Sequence, residues 1–131
     1  ADAEASRRFP YGAHGPRLAR RFVAETLTTW NLRDLIDRCV LVTSELATNA
    51  VRHGGSDFTV SLGRDASGVT VTVGDAGRGI PRARGTDALN PGGRGLHLVD
   101  WSADRWGHRE LDDGKLVWAH VAADADESRV G

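Results

Sequence analysis

The stretch Leu41-Val42-Thr43-Ser44-Glu45-Leu46-Ala47-Thr48-Asn49-Ala50-Val51-Arg52-His53-Gly54 decides how this chain is read. Its apolar residues recur at helical spacing. On a helical wheel Cys39, Val42, Leu46 and Ala50 share one side, which Val40, Ala47 and Val51 widen. Glu45, Thr48, Asn49 and Arg52 gather on the opposite edge, with His53 at the boundary. Glu45 and Asn49 stand four apart, so their side chains lie one turn above the other and project the same way. A carboxylate and a carboxamide so placed suit a hydrated divalent cation, which prefers hard oxygen ligands. Taken alone, an exposed polar helix face explains the pair more simply. The rest of the chain decides between the two.

Upstream, Asn31-Leu32-Arg33-Asp34 interrupts the pattern, and Asp34 is placed to cap a helix running to about Arg52. Before it, Leu18, Ala19, Phe22, Val23, Leu27 and Trp30 keep helical spacing from Arg17 to Trp30, and Gly15-Pro16 marks the start. Arg7-Arg8-Phe9-Pro10 suits a sheet edge, where the missing proline donor does least harm. Ala1 to Ser6 is a flexible lead-in or the approach to that strand. Downstream, Gly54-Gly55 ends the helix. Phe58–Leu62 and Gly68–Val73 alternate as strands, joined by a turn over Arg64–Gly68. Arg82 to Pro91 has almost no large apolar residue and reads as a surface loop. Gly92-Gly93-Arg94-Gly95 opens a short apolar helix, Leu96 to Trp101, and a hairpin over Ala103–Leu111 and Lys115–Ala122 closes the fold. The charged residues 124–131 read as a flexible tail.

A chain of 131 residues with no internal repeat is expected to form one domain over residues 1–131. A net charge of −1 with interspersed signs points away from nucleic acid and membrane surfaces as partners. The lone Cys39 lies on the apolar helix face and reads as a small core residue of a reducing compartment. With no apolar run near the length of a membrane span, a cytoplasmic location is expected. The sequence contains no methionine, which leaves room for a longer parent chain. Its only lysine is Lys115. The four tryptophans, Trp30, Trp101, Trp106 and Trp118, fall at apolar positions and are expected in the core, although a cluster on one face would make a partner surface.

Two further clusters carry chemistry. Gly74-Asp75-Ala76-Gly77-Arg78-Gly79 follows an apolar strand, where a carboxylate is costly unless its acceptors are used. Asp75 suits an exocyclic amine such as that of adenine, and Gly77 and Gly79 let backbone approach a flat ring. An ordinary Asp-Gly turn is the simpler alternative. Gly93, Arg94, Gly95 and Leu96 begin a helix whose free N–H groups and dipole suit phosphate, with Arg94 adding charge; a hinge is the alternative. This is no Walker A loop, which needs a lysine within the glycine run. Nor does Gly77–Gly79 open a helix in a parallel unit, so a dinucleotide-binding fold is disfavoured.

The order of these three motifs resembles the Bergerat-fold ATPase superfamily of gyrase, mismatch-repair, chaperone and histidine-kinase ATPases. Glu45-Leu-Ala-Thr-Asn49-Ala-Val-Arg-His53-Gly54 looks most like the small anti-sigma-factor serine kinases, and the resemblance spans about Arg7 to Val121. It implies a two-layer α/β sandwich with a mixed, mostly antiparallel sheet and helices on one face. It further implies that Asn49 coordinates Mg²⁺ on the phosphates of ATP, that Glu45 is the general base, and that Asp75 accepts from the adenine amine. Gly77 and Gly79 would shape that pocket, Gly93, Arg94, Gly95 and Leu96 would touch phosphates, and Arg52 and His53 would stand near them. The implied activity is serine/threonine phosphorylation of an anti-anti-sigma (STAS-type) protein, with a sigma factor as second partner and a homodimer allowed. The alternatives are a nucleotide-responsive anti-sigma module without transfer and a domain of a larger signalling protein.

Three departures stand out. The loop from Ile80 to Gly92 is short beside the lids of many relatives. Leu116 stands near the place of a threonine that helps relatives bind adenine through water, which implies weaker affinity. No helical segment carries a phosphoacceptor histidine, so histidine autophosphorylation is not expected.

Overall fold

The computed structural model describes residues 2–76 and 102–123. The chain runs β1 (Ala3–Phe9), α1 (His14–Thr29), a 3₁₀ turn (Arg33–Leu35), α2 (Ile36–Asn49), a π-helical turn (Ala50–Gly54), β2 (Phe58–Asp65), β3 (Gly68–Asp75), β4 (Arg105–Leu111) and β5 (Gly114–Ala122). The strands lie in the order β1-β2-β3-β5-β4. Every neighbouring pair is antiparallel, so the sheet, expected to be mostly antiparallel, is wholly so across the described strands.

Alternation along the strands builds the two layers. Phe58, Val60 and Leu62 of β2, Val69, Val71 and Val73 of β3, and Val117, Ala119 and Val121 of β5 are buried. They form one core with Ala19, Phe22, Val23 and Leu27 of α1 and Cys39, Val42, Leu46 and Ala47 of α2. Each fully buried valine or leucine contributes about 1.5–3 kcal/mol. Phe9 anchors the edge strand by stacking on Phe58, with ring centres 5.7 Å apart. Arg64 Nη1 donates to the Trp30 carbonyl at 2.8 Å and ties the end of α1 to β2.

Several boundaries differ from the sequence pattern. Helix α1 starts at His14, placing Pro16 inside its first turn, where a missing N–H is harmless. Asp34 caps nothing. Burial of Leu35 draws the chain through the 3₁₀ turn, and Leu35 N–H donates to the Leu32 carbonyl at 3.0 Å, leaving α2 without a side-chain cap. The chain stays helical to Gly54 and turns away at Gly55, whose φ is +66°. Cys39 is fully buried, and burial pushes its thiol up to about 12, so it is an inert packing residue. Trp30 and Trp106 pack against the core as expected. Trp118 does not: it lies half-buried over Gly107, where a Cβ would come within 2.9 Å of its ring. Strict alternation puts it on the face opposite Val117 and Ala119. Trp101 and the tail 124–131 lie outside the described residues. No described helix is long and apolar enough to cross a membrane.

Candidate functional site

The π turn that follows α2 meets the sheet at the end of β3, where Gly54 packs against Asp75. Glu45 is half-buried in α2, and burial raises its carboxyl above the usual range while the Arg52 charge opposes the rise. One turn on, Asn49 closes α2, and its buried Nδ2 has no hydrogen-bond partner among the described residues. A buried amide left in this state costs free energy of order 1–3 kcal/mol. A half-turn of the carboxamide exchanges its nitrogen and oxygen, so the same position can present an oxygen to a ligand.

After Asn49 the helix widens into the π turn Ala50–Gly54, a local irregularity common at functional sites. It presents Arg52 and His53 at the surface and brings Gly54 against Asp75. A Cβ on Gly54 would stand 2.7 Å from both Cγ and Oδ1 of Asp75. The glycine is therefore a steric requirement of the junction between the helix motif and the strand-end aspartate. Beside it, Ala76 N–H donates to Ser56 Oγ at 3.1 Å, tying the post-helix loop to the end of β3.

Asp75 faces inward in register with Lys115 of β5. Lys115 Nζ donates to Asp75 Oδ1 at 3.0 Å, and the two side chains are only 3% and 1% exposed respectively. Removing one member of such a pair is costly, about 3–5 kcal/mol, because the other charge is left buried. Gly114 closes the junction, since a Cβ there would overlap the Asp75 carbonyl. A cavity of about 330 Å³ at this end of the sheet is lined by Arg8, Thr59, Gly74 and Leu116, on the face away from the helices, together with Asp75 and Lys115.

Leu116 pairs with Gly74, and a Cβ on Gly74 would meet Leu116 Cδ2 at 2.9 Å. The position beside the aspartate belongs to Lys115, which lies outside any phosphate loop and has no role in the sequence motifs. A signal for it exists in the strand pattern. Lys115, Val117, Ala119 and Val121 alternate as the inward row of one strand, and a lysine there demands a buried partner.

Glu45, Asn49, Arg52 and His53 thus follow one another along α2 and the π turn, whose last residue, Gly54, packs against Asp75 of β3. Gly77, Gly79, Gly93, Arg94, Gly95 and Leu96 lie outside the described residues. Among the described residues no group of three or more His, Cys, Asp or Glu side chains could hold a metal ion. A single amide oxygen at Asn49 fits a cation such as Mg²⁺, which keeps several waters and takes other ligands from substrate phosphates.

The sequence profile of the histidine kinase-like ATPase domain matches residues 13–120, a span that begins just before α1 and ends within β5. No curated protein matches the chain.

Proposed function

We propose that this chain, which belongs to the histidine kinase-like ATPase domain family, binds Mg²⁺·ATP and transfers the γ-phosphoryl group to a serine or threonine of a small anti-anti-sigma (STAS-type) protein. A sigma factor is its second partner, held or released according to the state of the first. The observation that supports transfer is the juxtaposition on α2: a carboxylate with a raised pKa one turn before a buried amide that has no partner among the described residues. Asn49 would hold Mg²⁺, which when bound neutralises phosphate charge. Asp75 would accept from the adenine amine, with its position set by Gly54 and Lys115.

Phosphoryl transfer asks mainly for positioning and charge neutralisation. The partner hydroxyl oxygen forms a bond to the γ-phosphorus as the bond to the β–γ bridging oxygen breaks and ADP departs. Glu45 takes the hydroxyl proton. A carboxylate of raised pKa is a stronger base than an ordinary one. The exposed Arg52 lies close enough to influence Glu45 and supplies positive charge on the same edge.

The test is transfer of labelled phosphate from ATP to STAS-type proteins by wild type and Glu45→Gln. Transfer by wild type that the variant loses, with ATP still bound, supports the proposal. ATP binding with no transfer to any such protein would favour the second reading, a nucleotide-responsive anti-sigma module.

A further inference from the structure

Lys115 has more hydrogen-bonding capacity than the described residues around it use. An ammonium has three donors. Among the described residues its one hydrogen bond goes to Asp75, although the side chain is only 3% exposed. A buried donor of this kind is costly unless an acceptor arrives. The acceptor must lie beside Asp75, because the two side chains are 3.0 Å apart on neighbouring inward positions.

Side by side, an ammonium and a carboxylate offer a donor next to an acceptor. The edge of adenine offers the complement, an acceptor at N1 next to the amine donor at N6. We propose that Lys115 is a base-reading residue of this site, donating directly to adenine N1 while Asp75 accepts from N6. This rests on the nucleotide reading above. A charged donor at Lys115 would hold the ring edge without the water-mediated contact that a threonine near Leu116 gives in relatives. The design needs lysine and aspartate together, since either charge alone would be buried without a partner.

The experiment is calorimetric titration of the wild-type protein with Mg²⁺·ATP and with its 1-deaza analogue, which replaces N1 by a C–H group and keeps the amine. Loss of a hydrogen bond to a charged group predicts affinity lower by about tenfold or more for the analogue. Lys115→Met, checked by circular dichroism for a native fold, should bind ATP at least about tenfold more weakly and no longer distinguish the two nucleotides. Equal wild-type affinities would overturn the role of Lys115 while leaving the nucleotide site standing. So would a folded Lys115→Met protein that discriminates as wild type does. If neither nucleotide binds wild type, the nucleotide site itself falls, and this inference with it. The titration of wild type decides the role of Lys115 even where the variant fails to fold.

Discussion

Substituting alanine for Gly54 tests whether the helix motif and the strand-end aspartate form one site. The added Cβ would lie 2.7 Å from Cγ and Oδ1 of Asp75, where ordinary contact begins at 3.4 Å, a shortfall of 0.7 Å. Asp75 cannot yield freely, because its carboxylate is 1% exposed and held at 3.0 Å by Lys115. Overpacking of this kind costs roughly 1–3 kcal/mol. Alanine returns about 1 kcal/mol of helix propensity if the π turn behaves like ordinary helix. Disturbing the buried pair adds part of its roughly 3–5 kcal/mol. The net expectation is a loss of about 1–4 kcal/mol in urea unfolding, with ATP affinity reduced at least tenfold because the base acceptor is displaced. Gly55→Ala is the control. Its Cβ would meet nothing within 4 Å, and only the left-handed backbone at φ +66° opposes it, at roughly 1–2 kcal/mol. Both variants lose stability, but only Gly54→Ala loses nucleotide. Equal ATP affinity in the two folded variants would refute the claim that Gly54 sets the position of Asp75.

Glu45→Gln should lower phosphoryl transfer by about 10²–10⁴-fold while leaving ATP affinity nearly unchanged. Because the folded state raises the Glu45 pKa, its contribution to stability is present below the usual carboxylate range and is lost as pH rises through the raised value. The variant should therefore melt higher than wild type at neutral pH, and a lower melting temperature would contradict that cause. At the far end of the sheet, Ser67 Oγ–H donates to Asp65 Oδ1 at 2.6 Å and Ser67 N–H to the same oxygen at 2.7 Å. These bonds hold the Asp65 carboxyl below its usual range. The stability they bring is present above about pH 4, the unfolded aspartate value, and is lost as pH falls through the depressed folded value. Ser67→Ala should flatten that acid limb in urea midpoints measured against pH; an unchanged limb would remove the network from this role.

Much of the fold is legible because its signals are local. Alternation from Phe58 and from Gly68 locates β2 and β3, and Asp112-Asp113 marks the β4–β5 turn. The helical period places Leu46 inside and Glu45 and Asn49 on the polar edge. What escapes local pattern is cross-strand register and close approach. No spacing rule sets Lys115 opposite Asp75 or Gly54 beneath the same carboxylate, for these depend on how β5 pairs with β3 and how α2 meets the sheet. The π turn is equally silent in sequence, since Ala50–Arg52 would suit an ordinary helix. Trp118 departs from expectation for a related reason. Large apolar residues suggest the core, but parity along β5 decides the face, and Val117 and Ala119 occupy the inward row. Asp34 shows the converse, a residue with the right chemistry for a cap bypassed because Leu35 had to be buried.

At the centre of the proposed function, α2 and the end of β3 hold Mg²⁺·ATP through Asn49. Calorimetric titration of ATP with and without Mg²⁺, on wild type and Asn49→Ala, tests this most directly. Binding that depends on Mg²⁺ in wild type and is lost in a folded Asn49→Ala protein is the predicted result. Equal binding by the two proteins in the presence of Mg²⁺, or no binding by wild type, would contradict it.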